Sequence, residues 1–417
     1  MLERAVALAL AIFAVTYLAV AAGRLPPLSV DRPAAALLGA VLMVAAGVLS
    51  PSQASAAVNG DTLGLLLGTM ILSSYLGEAG FFRYASFRVL RSVGGPRILL
   101  WALVATAGVL SAFLVNDTVC LMMAPLVLRL VEDARLPARP YLLALAFGSN
   151  AGSVATLTGN PQNMIVGTLS GISYARFAAA LALPALASLA IVAGILHALF
   201  RRDLPRGPLT TAAAAAPEVD PRLLRKALAA TALALAGFAL GFPLSWTALF
   251  AAALLMAIAS RAPREALARV DWPLLVFFAG LFVVVAGVAH AGVADRMHDA
   301  LAPLLGASAE RQAVVFSAFA VAGSQLVSNV PFVILAGEWI PRLADPPLLW
   351  LATALAATLA GNLTVIGSVA NVIVLEIAGS RARIGFWAFL RIGAAVTSAT
   401  LAAGLAILLA ERALGLI

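Results

Sequence analysis

The chain runs to 417 residues, 63% of them hydrophobic and only 11% charged, with a mean hydropathy of +1.02. That balance excludes a soluble globular domain and marks a polytopic membrane protein. The net charge of +8 comes mostly from arginines gathered in short loops, so it reads as membrane topology rather than a nucleic-acid surface, and one cysteine, Cys120, excludes an internal disulfide or a multi-thiolate metal site.

The first apolar run, 5–23, has only Arg4 against Glu3 ahead of it and no small-residue cleavage site, so it is expected to be a retained span rather than a signal peptide. Spans of about the 20 residues that cross a bilayer are expected next at 34–50 and 60–78. Segment 97–133 is long enough to enter and return, and Asn116, Asp117 and Thr118 interrupt its centre. It is read as a re-entrant hairpin, tolerated where broken backbone is buried in protein or faces a water-filled cavity. A span at 141–157 continues to 172 past the polar break Thr158-Gly159-Asn160-Pro161-Gln162-Asn163, and 177–200 follows.

The loop from Arg201 to Arg222 contains "LTTAAAAAPEVDP" and has the composition of a linker. After it come spans at 224–241, 244–260 and 272–292 and a second hairpin, 310–343, centred on Ser328, Asn329 and Pro331. A span at 347–364 continues to 379 past Ile366-Gly367-Ser368, and the last is 386–410. The expected fold is an all-α membrane protein with about ten crossings and two hairpins.

Arginines fix the expected orientation. Those at 83, 88, 91, 97, 129, 135 and 139 flank the first hairpin, others fill the linker, and Arg261, Arg264, Arg269, Arg381 and Arg383 complete the set. All fall on one side under this scheme, which the positive-inside rule makes the cytoplasm. Both termini then lie outside, and the bacterial inner membrane is the expected location.

The linker separates halves of similar size, and they resemble one another. "TLTGNPQN" (Thr156 to Asn163) lines up with "TVIGSVAN" (Thr364 to Asn371), and "VNDT" (Val115 to Thr118) with "SNVP" (Ser328 to Pro331). The expected organisation is a first repeat, 1–203, a cytoplasmic linker, 204–222, and a second repeat, 223–417. An odd number of crossings in each makes the two copies inverted, and inverted repeats with paired broken helices point to a secondary transporter with a midplane site.

Broken helices leave free amides at one end and free carbonyls at the other, suited to anions and cations respectively. Capping alone accounts for Asn, Asp, Ser and Thr at such points one at a time, but not for four helices breaking at paired positions. Asp117 is the sharpest residue. An ionised carboxylate at mid-bilayer costs at least roughly 2.5–3.5 kcal/mol, and the other three breaks hold no lysine or arginine to pair with it. Coupling to H⁺ or Na⁺ through Asp117 is therefore expected. Glu78, Glu338, Glu376 and His290 lie near span ends and are weaker candidates.

With both motif pairs in view, the chain resembles the ion transporter superfamily, which includes arsenite/antimonite efflux permeases, divalent anion/Na⁺ symporters and a branch of Na⁺/H⁺ antiporters. Most similar are the plant silicon efflux transporters and their bacterial relatives, which carry a hairpin like "VNDT" and a segment like "PYLLALAFGSNAGSVATLTGNPQNMIVG" (Pro140 to Gly167). The resemblance implies a site built from hairpin tips and broken helices. Asn116 and Asn329 match the hairpin-tip asparagines, Asn163 and Asn371 those closing the broken-helix loops, and Asn150 an amide one helical stretch earlier. Asn362 is a looser match. The anion/Na⁺ symporters use Ser-Asn-Thr at both tips; here the first reads Val115-Asn116-Asp117 and the second Ser328-Asn329-Val330, and an acid at that position resembles the metalloid and antiporter branches. Homodimers are common in the superfamily.

The candidate substrate- and ion-binding residues are therefore Asn116, Asp117, Thr118, Asn150, Thr158, Gly159, Asn160, Asn163, Ser328, Asn329, Asn362, Thr364, Gly367, Ser368 and Asn371. Three activities fit: proton-driven efflux of small neutral metalloid hydroxides such as arsenous or silicic acid, Na⁺- or H⁺-coupled anion symport, and Na⁺/H⁺ antiport. Arsenite would have to be held through its oxygens, since one cysteine cannot supply three thiolates. No HExxH, GxSxG, paired carboxylates or histidine cluster suggests an enzyme. No cofactor is expected beyond a coupling ion, H⁺ or Na⁺ at the hairpin tips, and the expected partners are a small solute and the bilayer.

Overall fold

The computed structural model describes residues 2–22, 31–208 and 217–417, so the alanine run of the expected linker lies outside the described residues. The described chain is helical throughout. Its first half contains α1 (Leu2–Ala22), α2 (Arg32–Ala45), α3 (Pro51–Ala57), α4 (Gly60–Glu78), α5 (Phe81–Ser92), α6 (Pro96–Phe113), α7 (Asn116–Asp133), α8 (Ala138–Ser153), α9 (Pro161–Ser170) and α10 (Tyr174–Phe200). The second half follows with α11 (Pro221–Ala239), α12 (Leu244–Ile258), α13 (Pro263–Ala268), α14 (Trp272–His290), α15 (Val293–Leu305), α16 (Ala309–Val327), α17 (Asn329–Ala336), α18 (Pro346–Ala360), α19 (Val369–Ala378) and α20 (Phe386–Ala413). Each half thus runs through the same series. Three apolar helices or short turns lead to a long helix, a short surface helix, a hairpin, a helix broken by a 3-10 turn and a long closing helix.

Local chemistry sets the starts. Asp31, Asn59, Asp220, Asp271 and Asp345 each accept a backbone N–H in the first turn of α2, α4, α11, α14 and α18, and Ser50 with Gln53 forms a full capping box at α3. Other helices, α6, α8, α19 and α20 among them, start without a side-chain cap, and so do the second limbs of both hairpins. Neither α7 nor α17 has a side-chain cap at its N-terminus, so their first amides remain free.

Packing exchanges the two halves. Helix α2 packs on α14 as α12 packs on α4, α6 on α8 as α16 on α18, and α7 on α19 as α17 on α9, while α10 packs on its own counterpart α20. These contacts sort the chain into two bodies. One holds α1–α4 with α11–α14, and the other holds the hairpins, the broken helices, α10 and α20. Backbones approach closely inside the second body: a Cβ on Gly152 of α8 would sit 2.2 Å from the Gly108 backbone of α6. Small residues permit such contact where lipid supplies no hydrophobic drive between helices.

Among the described residues, α6, α10, α14 and α20 are single helices long and apolar enough to cross a membrane, and α3 with α4 forms a further span bent by 46°. The other expected crossings are shorter helices, such as α2, α12 and α18, helices divided by the breaks, or, for 224–241, the 19-residue α11, whose first turns carry Arg222, Arg225 and Lys226. Large apolar side chains such as Leu18, Val41, Leu186 and Phe250 face outward, as lipid contact requires. The arginine-rich segments meet at one end of the bundle. Arg83 donates to Glu218 O at 3.2 Å and Arg97 to Arg201 O at 2.9 Å, while Arg261 and Arg269 pair with Glu78 at 3.2 and 2.6 Å. Glu78 is thereby an ion-paired residue at a helix end.

Candidate functional site

The two broken helices are built alike. Asn163 Nδ2 donates to Ser153 O and Thr156 O, both at 3.0 Å, and Asn371 Nδ2 donates to Gly361 O at 2.6 Å and Thr364 O at 3.0 Å. Each asparagine closes its loop on carbonyls that the interrupted helix leaves without amide partners. Asn160 caps α9 by accepting from the Asn163 N–H at 2.8 Å. Gly159 lies so close beneath that an added Cβ would meet Ser153 O at 2.2 Å.

The breaks are cross-linked between halves. Asn160 Nδ2 donates to Thr358 Oγ1 at 3.1 Å, and in the exchanged position Ser368 Oγ donates to Asn150 Oδ1 at 3.0 Å. Asn150 is the hub. Its Nδ2 donates to Asn362 Oδ1 at 2.9 Å and Asn371 Oδ1 at 3.2 Å, and its Oδ1 also accepts from Asn116 Nδ2 at 3.1 Å. The direction of every amide in this chain is forced. Asn371 must present nitrogen to two backbone carbonyls, which leaves its oxygen for Asn150 and in turn the Asn150 oxygen for Asn116. Asn116 Oδ1 is the open end, buried and without a partner.

The same holds across the gap. Asn329 Oδ1 at the second hairpin tip is also buried and unpartnered, and both asparagines line one cavity of about 40 Å³. Asp117, Gln162, Ser328, Gly367 and Ser368 complete most of its polar wall, while Leu274, Phe277 and Phe278 of α14 form the apolar side. The first turns of α7, α9, α17 and α19 all contribute to it, so four helix N-termini direct positive partial charge and free amides inward. The Asp117 carboxylate faces the backbone N–H of Ala370 in the first turn of α19. Ser328 forms the second tip at φ 72° and ψ 161°, a region that glycine normally occupies. The first tip, Val115, is relaxed at φ −58°.

Asn116, Asp117, Ser328, Asn329, Gly367 and Ser368 thus line the cavity, with Asn150, Asn160, Asn163, Asn362 and Asn371 in the network behind it. Thr364 bonds Gln325 Oε1 at 2.7 Å, Thr158 lies within hydrogen-bonding distance of the Tyr174 hydroxyl at 3.3 Å, and Thr118 is not part of the wall. His290, Glu338 and Glu376 are exposed on the surface, and Cys120 is buried and free. The sequence motifs do not single out Thr358, Ser153 or Gln325, and they contain Gln162 only as a member of the first break. Thr358 was discoverable: it stands six residues before Thr364 as Asn150 stands six before Thr156. The polar groups that the cavity offers are oxygen and nitrogen atoms only.

A larger cavity of about 230 Å³ adjoins the site, sharing Leu274, Phe277, Ser328 and Val369, and extends past Gln325 to Tyr17, Arg32 and Asp271. The exchanged position is closed. There Ser245 Oγ donates to Asp61 at 2.5 Å, and Thr62 of α4 is 3.2 Å from the Thr168 hydroxyl of α9.

The profile of the citrate transporter family, CitMHS, matches residues 8–345 of this chain. The chain belongs to that family. Its relatives include the silicon efflux transporter LSI3 of Oryza sativa subsp. japonica, 32% identical with 84% of this chain and 86% of the relative covered. A 46 kDa membrane protein of Mycobacterium leprae is 31% identical over 95% of this chain and 96% of its own, and the putative transporter arsB of Dictyostelium discoideum is 24% identical over 88% and 85%. In fold the chain is similar to the YdaH transporter of Alcanivorax borkumensis, with a TM-score of 0.60, 14% identity and 99% and 98% of the two chains covered. CitMHS membership and this fold make the chain a multi-pass secondary transporter.

Proposed function

We propose that this transporter exports a small, neutral, polyhydroxy metalloid, of the arsenous or silicic acid type, in exchange for protons carried by Asp117. The observation that carries the reading is the pair of buried, unpartnered acceptors, Asn116 Oδ1 and Asn329 Oδ1, on two residues that line one cavity from opposite hairpins. Each leaves a deficit of about 1–3 kcal/mol until a donor arrives. A neutral hydroxide donates to these oxygens through its O–H groups and accepts from the helix-end amides through its lone pairs. A carboxylate only accepts. It would leave both asparagines unsatisfied and would lie against Asp117, with no arginine or lysine in the wall. The names of the rice and Dictyostelium relatives point the same way.

In this reading the two halves are inverted repeats divided at the linker, and both termini lie outside the inner membrane of a bacterial cell. The arginine-rich end is cytoplasmic. The cavity reaching Arg32 and Asp271 is then the cytoplasmic access, and the Asp61–Ser245 and Thr62–Thr168 contacts close the outer side. Movement of the hairpin body against the other would exchange the two, with the chain working as a homodimer. Symport of an anion is the second reading. It is favoured by the four converging helix N-termini and by the name of the family.

Proteoliposomes with an imposed pH or Na⁺ gradient separate them, using arsenite and germanic acid against citrate. Metalloid movement driven by the pH gradient and lost in Asp117→Asn is expected. Na⁺- or H⁺-driven citrate accumulation without metalloid movement would overturn the proposal.

A further inference from the structure

We propose that the basin between the start of α6 and the end of α10 binds the phosphate headgroup of an anionic phospholipid. The basin measures about 850 Å³ and is lined by Arg97, Arg201, Arg202 and Arg206 together with His197. No carboxylate lines it, and among the described residues none of the four guanidinium groups has an ion-pair partner. Asp203, in the same loop, is outside the wall. Four like charges around one concavity repel one another unless an anion is present, and guanidinium forks match phosphate oxygens in bidentate fashion.

The wall is partly built in advance. Arg97 Nη2 is held on Arg201 O at 2.9 Å, which ties the loop to α6, while its buried Nε has no partner. Trp101 Nε1 donates to His197 Nδ1 at 3.2 Å, which leaves His197 Nε2 as the remaining polar atom of that ring. The surroundings favour a lipid over a free phosphate. Ile98, Trp101 and Leu199 are 58%, 43% and 53% exposed on the same two helices, so apolar surface for acyl chains adjoins the charged basin. A tryptophan beside clustered arginines is the composition of a membrane interface, where basic pockets take anionic headgroups.

Native mass spectrometry of the full chain, exchanged into phosphatidylcholine and titrated with phosphatidylglycerol, cardiolipin or inorganic phosphate, tests this. The variant R201Q/R202Q/R206Q is compared with R264Q/R383Q/R391Q, which removes equal charge from α13, the connection before α20 and α20 itself. Retention of the anionic lipids is expected to fall at least about fivefold in the first variant and to persist in the second. Displacement of the lipid by millimolar phosphate, with the same sensitivity to the first variant, would support the anion site and assign it a soluble occupant. Equal retention of phosphatidylcholine, or equal losses in both variants, would overturn the proposal. Should the triple variant fail to fold, the single variant R202Q reads the same loss on a smaller scale, and full retention in it would count against the site.

Discussion

Asn116 Nδ2 lies 3.1 Å from Asn150 Oδ1, and this bond commits the amide nitrogen and leaves the oxygen buried without a partner, on a residue that lines a cavity together with Asn329. The two residues therefore play different parts. Asn150 satisfies its neighbours, whereas Asn116 and Asn329 each hold an unsatisfied atom, the one that the proposed function assigns to a solute.

Replacing Asn150 should destabilise the fold, and replacing Asn329 should not. Asn150→Leu leaves Asn362, Asn371, Ser368 and Asn116 with polar atoms lacking partners, each worth about 1–3 kcal/mol of desolvation. Asn329→Ala removes an acceptor that already lacks one. Thermal unfolding in detergent is expected to show a marked fall for the first and no fall for the second, with metalloid transport lost in both. A comparable fall for Asn329→Ala would mean that its amide has a structural partner after all.

Much of this arrangement was legible from residues alone. Asn116, Asp117 and the paired "TLTGNPQN" and "TVIGSVAN" breaks announced themselves because polar and glycine residues interrupt apolar runs, where each break needs a compensating partner. Thr358 and Gln325 were harder to see. Threonine and glutamine in helix bodies carry no local signal, and their roles arise from contact with breaks 195 and 39 residues away. The direction of each amide was likewise invisible, since it is set by the backbone carbonyls that Asn371 reaches. The conformation of Ser328 was unexpected too, because serine gives no hint of a left-handed backbone.

At that residue, Ser328→Gly should stabilise the protein. Backbone in this region costs a non-glycine residue about 1–3 kcal/mol, and glycine's greater freedom in the unfolded chain takes back roughly 0.5–1 kcal/mol. A small rise in apparent melting temperature is expected. Transport should weaken through a higher KM, because a glycine tip holds Asn329 less firmly over the cavity. An unchanged melting temperature would show that the surrounding helices relieve the strain in another way.

The closed side offers a conformational test. Thr62 and Thr168 form the hydroxyl contact between α4 and α9, which belong to different bodies. T62V/T168V removes about 0.5–1.5 kcal/mol from the conformation described, equivalent to a shift of up to roughly tenfold toward the opposite opening. Ile165, fully buried and one turn from Thr168 on α9, is a suitable probe. The buried Cys120 gives little background, so Ile165→Cys should react faster with a water-soluble thiol reagent in the double variant. An equal rate in both backgrounds would exclude this pair as a latch.

Asp220 makes the linker end pH-sensitive. It caps α11, accepting from the Leu223 and Arg222 amides at 3.0 Å each, and pairs with Arg261 at 2.9 Å. The Leu223 N–H is the largest of the influences that hold this carboxyl below its usual value, with the Arg222 N–H and Arg261 adding to it. A group whose folded value is depressed contributes stability above its unfolded value, about 3.9 for aspartate, and loses it as pH falls through the folded value. Asp220→Ala should therefore lower the apparent melting temperature at neutral pH, with the difference from wild type persisting to about pH 5 and closing below about pH 4. Scanning fluorimetry of the two proteins across that range measures it. A difference independent of pH would assign the effect of Asp220 to packing rather than to its charge on the first turn of α11.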